Sequence, residues 1–179
     1  MALAFPRGLL YRVTRRGTNR AKGMTSLHTN DARRFCGALR NLETDPRVTR
    51  MKDCTQHKGN TTYSHCHSVA LSSFRLAQWL GWRIDEPSLA RGAMLHDFHL
   101  YTRRKHDVRH LFRHPRLALA NAEAAFALND KERNIIASHM WPLTLTKLPR
   151  SREAVLVMLA DKYCACREMA AGRARRGGR

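Results

Sequence analysis

Apolar residues recur three and four positions apart through most of the chain, and short polar stretches with helix start and stop residues divide them. Thr29 or Asn30 can cap a first helix that runs to about Leu42. Asp45 and Pro46 together open a short helix to about Cys54. Residues 56–62 (QHKGNTT) read as a polar loop. A long helix then runs from about Tyr63 to Leu80 and is closed by Gly81. Asp85, Glu86 and Pro87 start the next, which reaches His96. Residues 98–113 are basic and lack a period, so Pro115 is taken as the start of an alanine-rich helix to about Leu128. Asn129 or Asp130 caps a helix to about His139, and Ser151 caps the last one to about Ala170. No segment alternates as a half-buried strand would. The expected fold is all-α, a single globular bundle of about seven helices.

Charge divides the chain into three parts. It holds 33 Lys and Arg against 14 Asp and Glu in 179 residues. Residues 1–23 carry six basic groups and no acid, and residues 170–179 carry four and none. The first stretch is expected to be a basic, poorly ordered extension, the last a basic tail, and 24–169 the folded domain. Removing both ends leaves 23 basic and 14 acidic groups, a net of +9, which suits an anionic substrate or nucleic acid. A nucleic-acid-binding arm is the sharper alternative for the extension, and a basic proteome the blander reading of the whole. Cys36, Cys54, Cys66, Cys164 and Cys166 are not spaced as a disulfide framework or a zinc knuckle, which points to reduced thiols and a cytoplasmic protein. No apolar run approaches the roughly 18 residues of a membrane span.

The chemistry gathers on the core-facing stripes. Nine of the ten histidines lie between His57 and His139. His65 shares a stripe with Val69, Leu76 and Leu80, and His67 faces elsewhere. His96 follows Leu89 and Ala93, and Asp97 follows Ala93 by four. His114 precedes Ala118 and Ala122 at four-residue steps, His139 follows Ile135 and Ile136, and Asp161 follows Ala154 and Val157. Six polar, metal-capable groups thus sit on apolar stripes of five helices. A lone histidine on such a face is ordinarily a core residue bonded to a carbonyl. Six unpaired groups would each cost several kcal/mol to bury, and a shared metal centre satisfies all of them.

This ordered set resembles the HD domain of metal-dependent phosphohydrolases. HCHSVA contains the family's first histidine at His65, LHD at 95–97 its name-giving pair, HPRLALANA a further histidine at His114, and SHMWPLT and LADKYCA its last histidine and aspartate at His139 and Asp161. Within that family it resembles small bacterial HD proteins reading QH-x-x-x-T-x-Y-x-HC, then LHD-x-x-LY, then HP, and the resemblance covers about residues 30–168. It implies an HD domain over 24–169 that binds one or two divalent transition-metal ions (Mn, Fe, Co, Ni or Zn). His65, His96, Asp97 and Asp161 would hold one ion, and His114 and His139 a second, with Asp97 bridging. The implied reaction is hydrolysis of a small phosphomonoester, phosphodiester or nucleotide by metal-activated water.

The chain also departs from the family. Leu100 stands where members often carry a glutamate or lysine, and Thr102 and Arg104 replace an aspartate and a histidine. The leaving-group acid is then sought among His99, His106 and His110, beside Asp97 as the other catalytic candidate. Lys58, Arg103, Arg104 and Arg109 are candidate phosphate contacts. The rival readings are a non-catalytic HD scaffold binding metal or nucleotide, and a nucleic-acid-binding protein acting through its basic ends.

Overall fold

Five helices start where a side-chain acceptor meets the free backbone N–H groups of a first turn, the last of them with Ser151 Oγ accepting from Ala154 N–H at 3.1 Å. The computed structural model describes residues 21–57, 60–98 and 108–177, with side chains for 30–54, 60–98 and 112–171. Helix α1 spans Ala21–Glu43 and is followed by α2, Pro46–Thr49, and a 3-10 turn, Arg50–Asp53. Asp45 caps α2 by accepting from Arg47 N–H at 2.8 Å. A two-stranded antiparallel hairpin, β1 (Thr55–His57) and β2 (Asn60–Thr61), leads into α3, Thr62–Leu80. Thr61 caps α3 through Ser64 N–H at 3.1 Å, and Gly81 ends it at φ 64°, a left-handed conformation that glycine adopts without a Cβ clash. Asp85 caps α4, Glu86–Leu95, through Ser88 N–H. After α5, Val108–Ala125, comes α6, Asp130–Ser138, which opens with a capping box between Asn129 and Glu132. The last helix, α7, spans Arg152–Gly177.

The all-α expectation holds, with seven helices among the described residues. Several boundaries move. Helix α1 begins at Ala21, not at Thr29 or Asn30, and so takes in the end of the predicted extension. Helix α5 begins at Val108, which places Pro115 inside it and not at its start. The preceding basic stretch has no apolar period to announce a helix, and Pro115, the eighth residue of α5, lies inside the helix although it has no N–H to donate to the carbonyl four residues back. Helix α7 passes Ala170 and runs to Gly177, through alanines and arginines that favour a helix and suit its C-terminal dipole. The predicted loop at 56–62 overlaps the small hairpin, whose strands are too short to show alternation.

Helix α4 lies in the middle, packed on α1, α3, α6 and α7. Leu89, Ala90, Ala93, Met94 and Leu95 are all fully buried there. Gly92 permits the approach of α6: a Cβ at this position would lie 2.6 Å from Ile135 Cδ1 and 3.0 Å from Ile135 Cβ. Phe35, Met51, Ile136 and Leu156 complete the core, with Phe35 stacked on Phe74 at 4.5 Å between ring centroids. No described helix is long and apolar enough to cross a membrane, and all five cysteines are free thiols.

The buried acids outside the centre are matched. Glu86 pairs with Arg34 at 3.1 Å, and Glu132 with Arg91 at 2.7 Å. Glu153 accepts from Asp85 N–H at 2.7 Å and from Lys131 at 3.2 Å. Burial alone would raise the Glu153 pKa, but the Asp85 backbone donor and Lys131 outweigh it and hold it below the ordinary value. A lowered folded-state pKa stabilises the fold above the unfolded value of about 4.3 and is lost as pH falls through the folded one. Glu153→Gln is therefore expected to lower stability most near neutral pH. Urea unfolding of parent and variant should converge below about pH 4. A gap between them that stays constant with pH would remove this account.

Candidate metal centre

The six stripe residues converge where four helix ends and the middle of a fifth helix meet. His65 lies in the first turn of α3 and Asp161 in mid-α7. His96 and Asp97 follow the last residue of α4, and His139 follows the last residue of α6. His114 stands in the second turn of α5. All six are buried, none more than 8% exposed. They fall into two groups whose ligating atoms lie within 4.8 Å of one another: His65, His96 and Asp161; and Asp97, His114 and His139. Both groups can hold a metal ion.

The distances have the scale of ligand–ligand edges. Two atoms each about 2.1 Å from one ion lie roughly 3.0–3.4 Å apart at octahedral or tetrahedral angles. His65 Nε2 is 3.0 Å from Asp161 Oδ1, and His96 Nε2 is 3.7 Å from the same oxygen. In the second group His114 Nε2 lies 2.8 Å from His139 Nε2 and 3.4 Å from Asp97 Oδ1, which is 3.6 Å from His139 Nε2. The other oxygen of Asp97, Oδ2, turns to His96 Nε2 at 3.8 Å. One carboxylate thus faces both groups, one oxygen to each.

Backbone and carboxylate acceptors orient the rings. His96 Nδ1 donates to Ala93 O at 2.7 Å and His139 Nδ1 to Ile136 O at 2.8 Å, so each ring aims Nε2 inward. His65 Nδ1 donates to Glu168 Oε1 at 3.1 Å. Metal-bound histidines generally donate their second ring N–H to a carbonyl or carboxylate in this way. His96 Nε2 is fully buried and makes no hydrogen bond; it stands between two carboxylate oxygens slightly too far off to reach. An ion there would satisfy it, which is the test of fit that this side-chain set passes.

The charges are those of a cation site. Burial opposes a proton on His65, but Asp161 and Glu168 outweigh it and raise its pKa to about 10. Burial is likewise outweighed at His96, by Cys66, Asp97 and Asp161. Asp161 is held well below the carboxylate range; burial would raise it, and the contacts with His65 and His96 prevail. His139 goes the other way: burial and the neighbouring His96 lower its pKa to about 3, leaving a neutral ring. Protons on His65 and His96 thus occupy the place of positive charge among the carboxylates, and metal uptake at such sites displaces protons.

Six of the sequence-derived residues are brought together. His99, Lys58, Arg103 and Arg104, the side chains of Arg109 and His110, and His106 lie outside the described residues. His67 stands apart, 2.9 Å from Glu43. Glu168 is the member that sequence reasoning missed. Its signal was the seven-residue step from Asp161, two turns along one helix face. Lys162 Nζ donates to His139 O at 3.0 Å and ties α7 to the end of α6. Comparison of the chain with protein-family models, with curated proteins and with solved structures finds no match.

Proposed function

We propose that the chain is a cytoplasmic metal-dependent phosphohydrolase of the HD-domain type, acting on a small phosphoester or nucleotide. The observation that supports it is the pair of three-residue groups facing the two oxygens of Asp97. His65, His96 and Asp161 would hold one divalent ion, and Asp97, His114 and His139 a second. Imidazole with carboxylate suits Mn, Fe, Co, Ni or Zn better than Mg or Ca. Ions in such a site polarise water and offset charge on phosphoryl oxygens. The chain's part is to hold the donors in place: Ala93 O and Ile136 O fix two rings, Glu168 a third. Burial excludes bulk water around them, which strengthens every charge interaction inside.

Glu168→Ala is expected to weaken binding at the His65 group by about 10–100-fold, as removal of such an outer carboxylate does. Isothermal titration with Mn or Co would read this, and an unchanged affinity would leave Glu168 a packing residue. The reading as a whole is tested on protein purified without chelator. About two ions per chain are expected. His65→Ala and His114→Ala should each lose metal from their own group. Phosphoester hydrolysis should vanish with chelator and return with Mn or Co. A chain that binds metal but hydrolyses none of the phosphoesters in the screen would favour the non-catalytic scaffold. A chain that takes up no metal would sink both.

A further inference from the structure

A second surface lies along the outer seam of α3 and α7. The two helices run antiparallel: Trp82, just past α3, meets Arg152 at the start of α7; Ser72 meets Cys164; His65 meets Glu168. Their inner sides supply His65 and Asp161. The outer side opens into a groove of about 470 Å³, a size that admits nucleotide-sized ligands. Ser72, Arg75, Leu76 and Trp79 line it from α3; Leu159, Tyr163 and Arg167 line it from α7. Leu159 and Tyr163, each two residues from Asp161, point about 200° away from it.

The exposure is unusual for these residue types. Trp79 is 81% exposed and Tyr163 56%. Neither contributes to the core, and a tryptophan so placed marks a contact surface. The charge on the seam has one sign. Helix α3 contains no Asp or Glu. The three acids of α7 are engaged elsewhere: Glu153 with Asp85 and Lys131, Asp161 and Glu168 with His65. Arg75 and Arg167 are left facing the groove, and Arg167 packs over the Tyr163 ring at 5.5 Å.

These features select among occupants. A second copy placed symmetrically here would bring arginines against arginines, which costs binding energy. A bilayer surface attracts arginines but offers Trp79 and Tyr163 no flat ring to stack on. A duplex hides its base faces. An unpaired strand offers both phosphates for arginine and flat bases for Trp79 and Tyr163. We propose that the α3–α7 groove binds single-stranded nucleic acid, bases stacked on Trp79 and Tyr163 and phosphates held by Arg75 and Arg167.

The test is fluorescence anisotropy of a labelled 12-nucleotide oligo-dT or oligo-U with the full-length protein, over a range of salt. Trp79→Ala and Tyr163→Ala change no charge, so each isolates stacking from general attraction to a cationic protein. Each is expected to weaken binding about tenfold, with an unchanged salt slope. Arg75→Ala and Arg167→Ala should lower the salt slope by about one unit each. Trp79 is so exposed that Trp79→Ala should keep the parent's circular dichroism and Tm. Three results would overturn the proposal: no binding at low salt; binding that ignores both aromatic variants but disappears when residues 171–179 are removed; or displacement of the strand from the parent by poly-glutamate or anionic vesicles at lower concentration than by unlabelled strand. None of these outcomes depends on the metal centre.

Discussion

Asp97→Ala should empty both metal positions at once, whereas His139→Ala should leave the His65 group able to bind. The reason is the placement of one carboxylate. Oδ1 faces His114 and His139 at 3.4 and 3.6 Å, and Oδ2 faces His96 at 3.8 Å. Without it the second group keeps two imidazoles and no anion, and the first loses the oxygen beside His96. Removing that negative charge also leaves the protons held by His65 and His96 less compensated. Metal content by mass spectrometry is expected to fall from about two ions to fewer than about half of one. Any hydrolysis should fall by about a hundredfold or more, beyond the effect of losing an outer carboxylate. Retention of one full equivalent in Asp97→Ala would show that Asp161, His65 and His96 suffice, and would remove Asp97 from the shared position.

Gly92→Ala is expected to destabilise the fold, although alanine is the better helix former. Two effects of opposite sign meet here. Replacing a mid-helix glycine gains about 1 kcal/mol of propensity. Against it, the new Cβ would lie 2.6 Å from Ile135 Cδ1, 2.9 Å from Cγ2 and 3.0 Å from Cβ. The terminal methyl can rotate away, but Cβ is fixed to the α6 backbone, so the helices themselves must separate. Overpacking of this kind costs about 1–3 kcal/mol, enough to cancel the gain and up to about 2 kcal/mol more. In a chain of this size that corresponds to a Tm drop of up to about 8 °C. The shift also reaches the site, because His139 lies four residues beyond Ile135 on the same stripe. A calorimetric Tm equal to or above the parent's would mean that α4 and α6 adjust freely at this contact.

Much of the architecture was legible because helix signals are local. Asp45, Asp85, Asn129 and Gly81 each act on neighbours within four residues, and each stands at a boundary in the folded chain. The misplaced boundaries are those without such signals. Basic residues before Pro115 and after Ala170 carry no apolar period, so their helicity follows from the helix they extend. Placing six polar groups on apolar stripes was likewise a matter of periodicity alone.

Convergence was not. Periodicity tells that His65, His96, Asp97, His114, His139 and Asp161 face inward on five helices; it cannot tell that five inward faces meet at one point. The meeting depends on the seating of α4 among α1, α3, α6 and α7, and on the close approach that Gly92 allows. Only the folded chain divides the six ligands into two groups, turns one oxygen of Asp97 toward each, and brings Glu168 to His65 across 103 positions of sequence. The sequence by itself determined the helices and which side of each is chemically active, because those properties repeat within a turn. The tertiary structure decided the site, because a metal centre is a set of distances between residues that no local pattern measures.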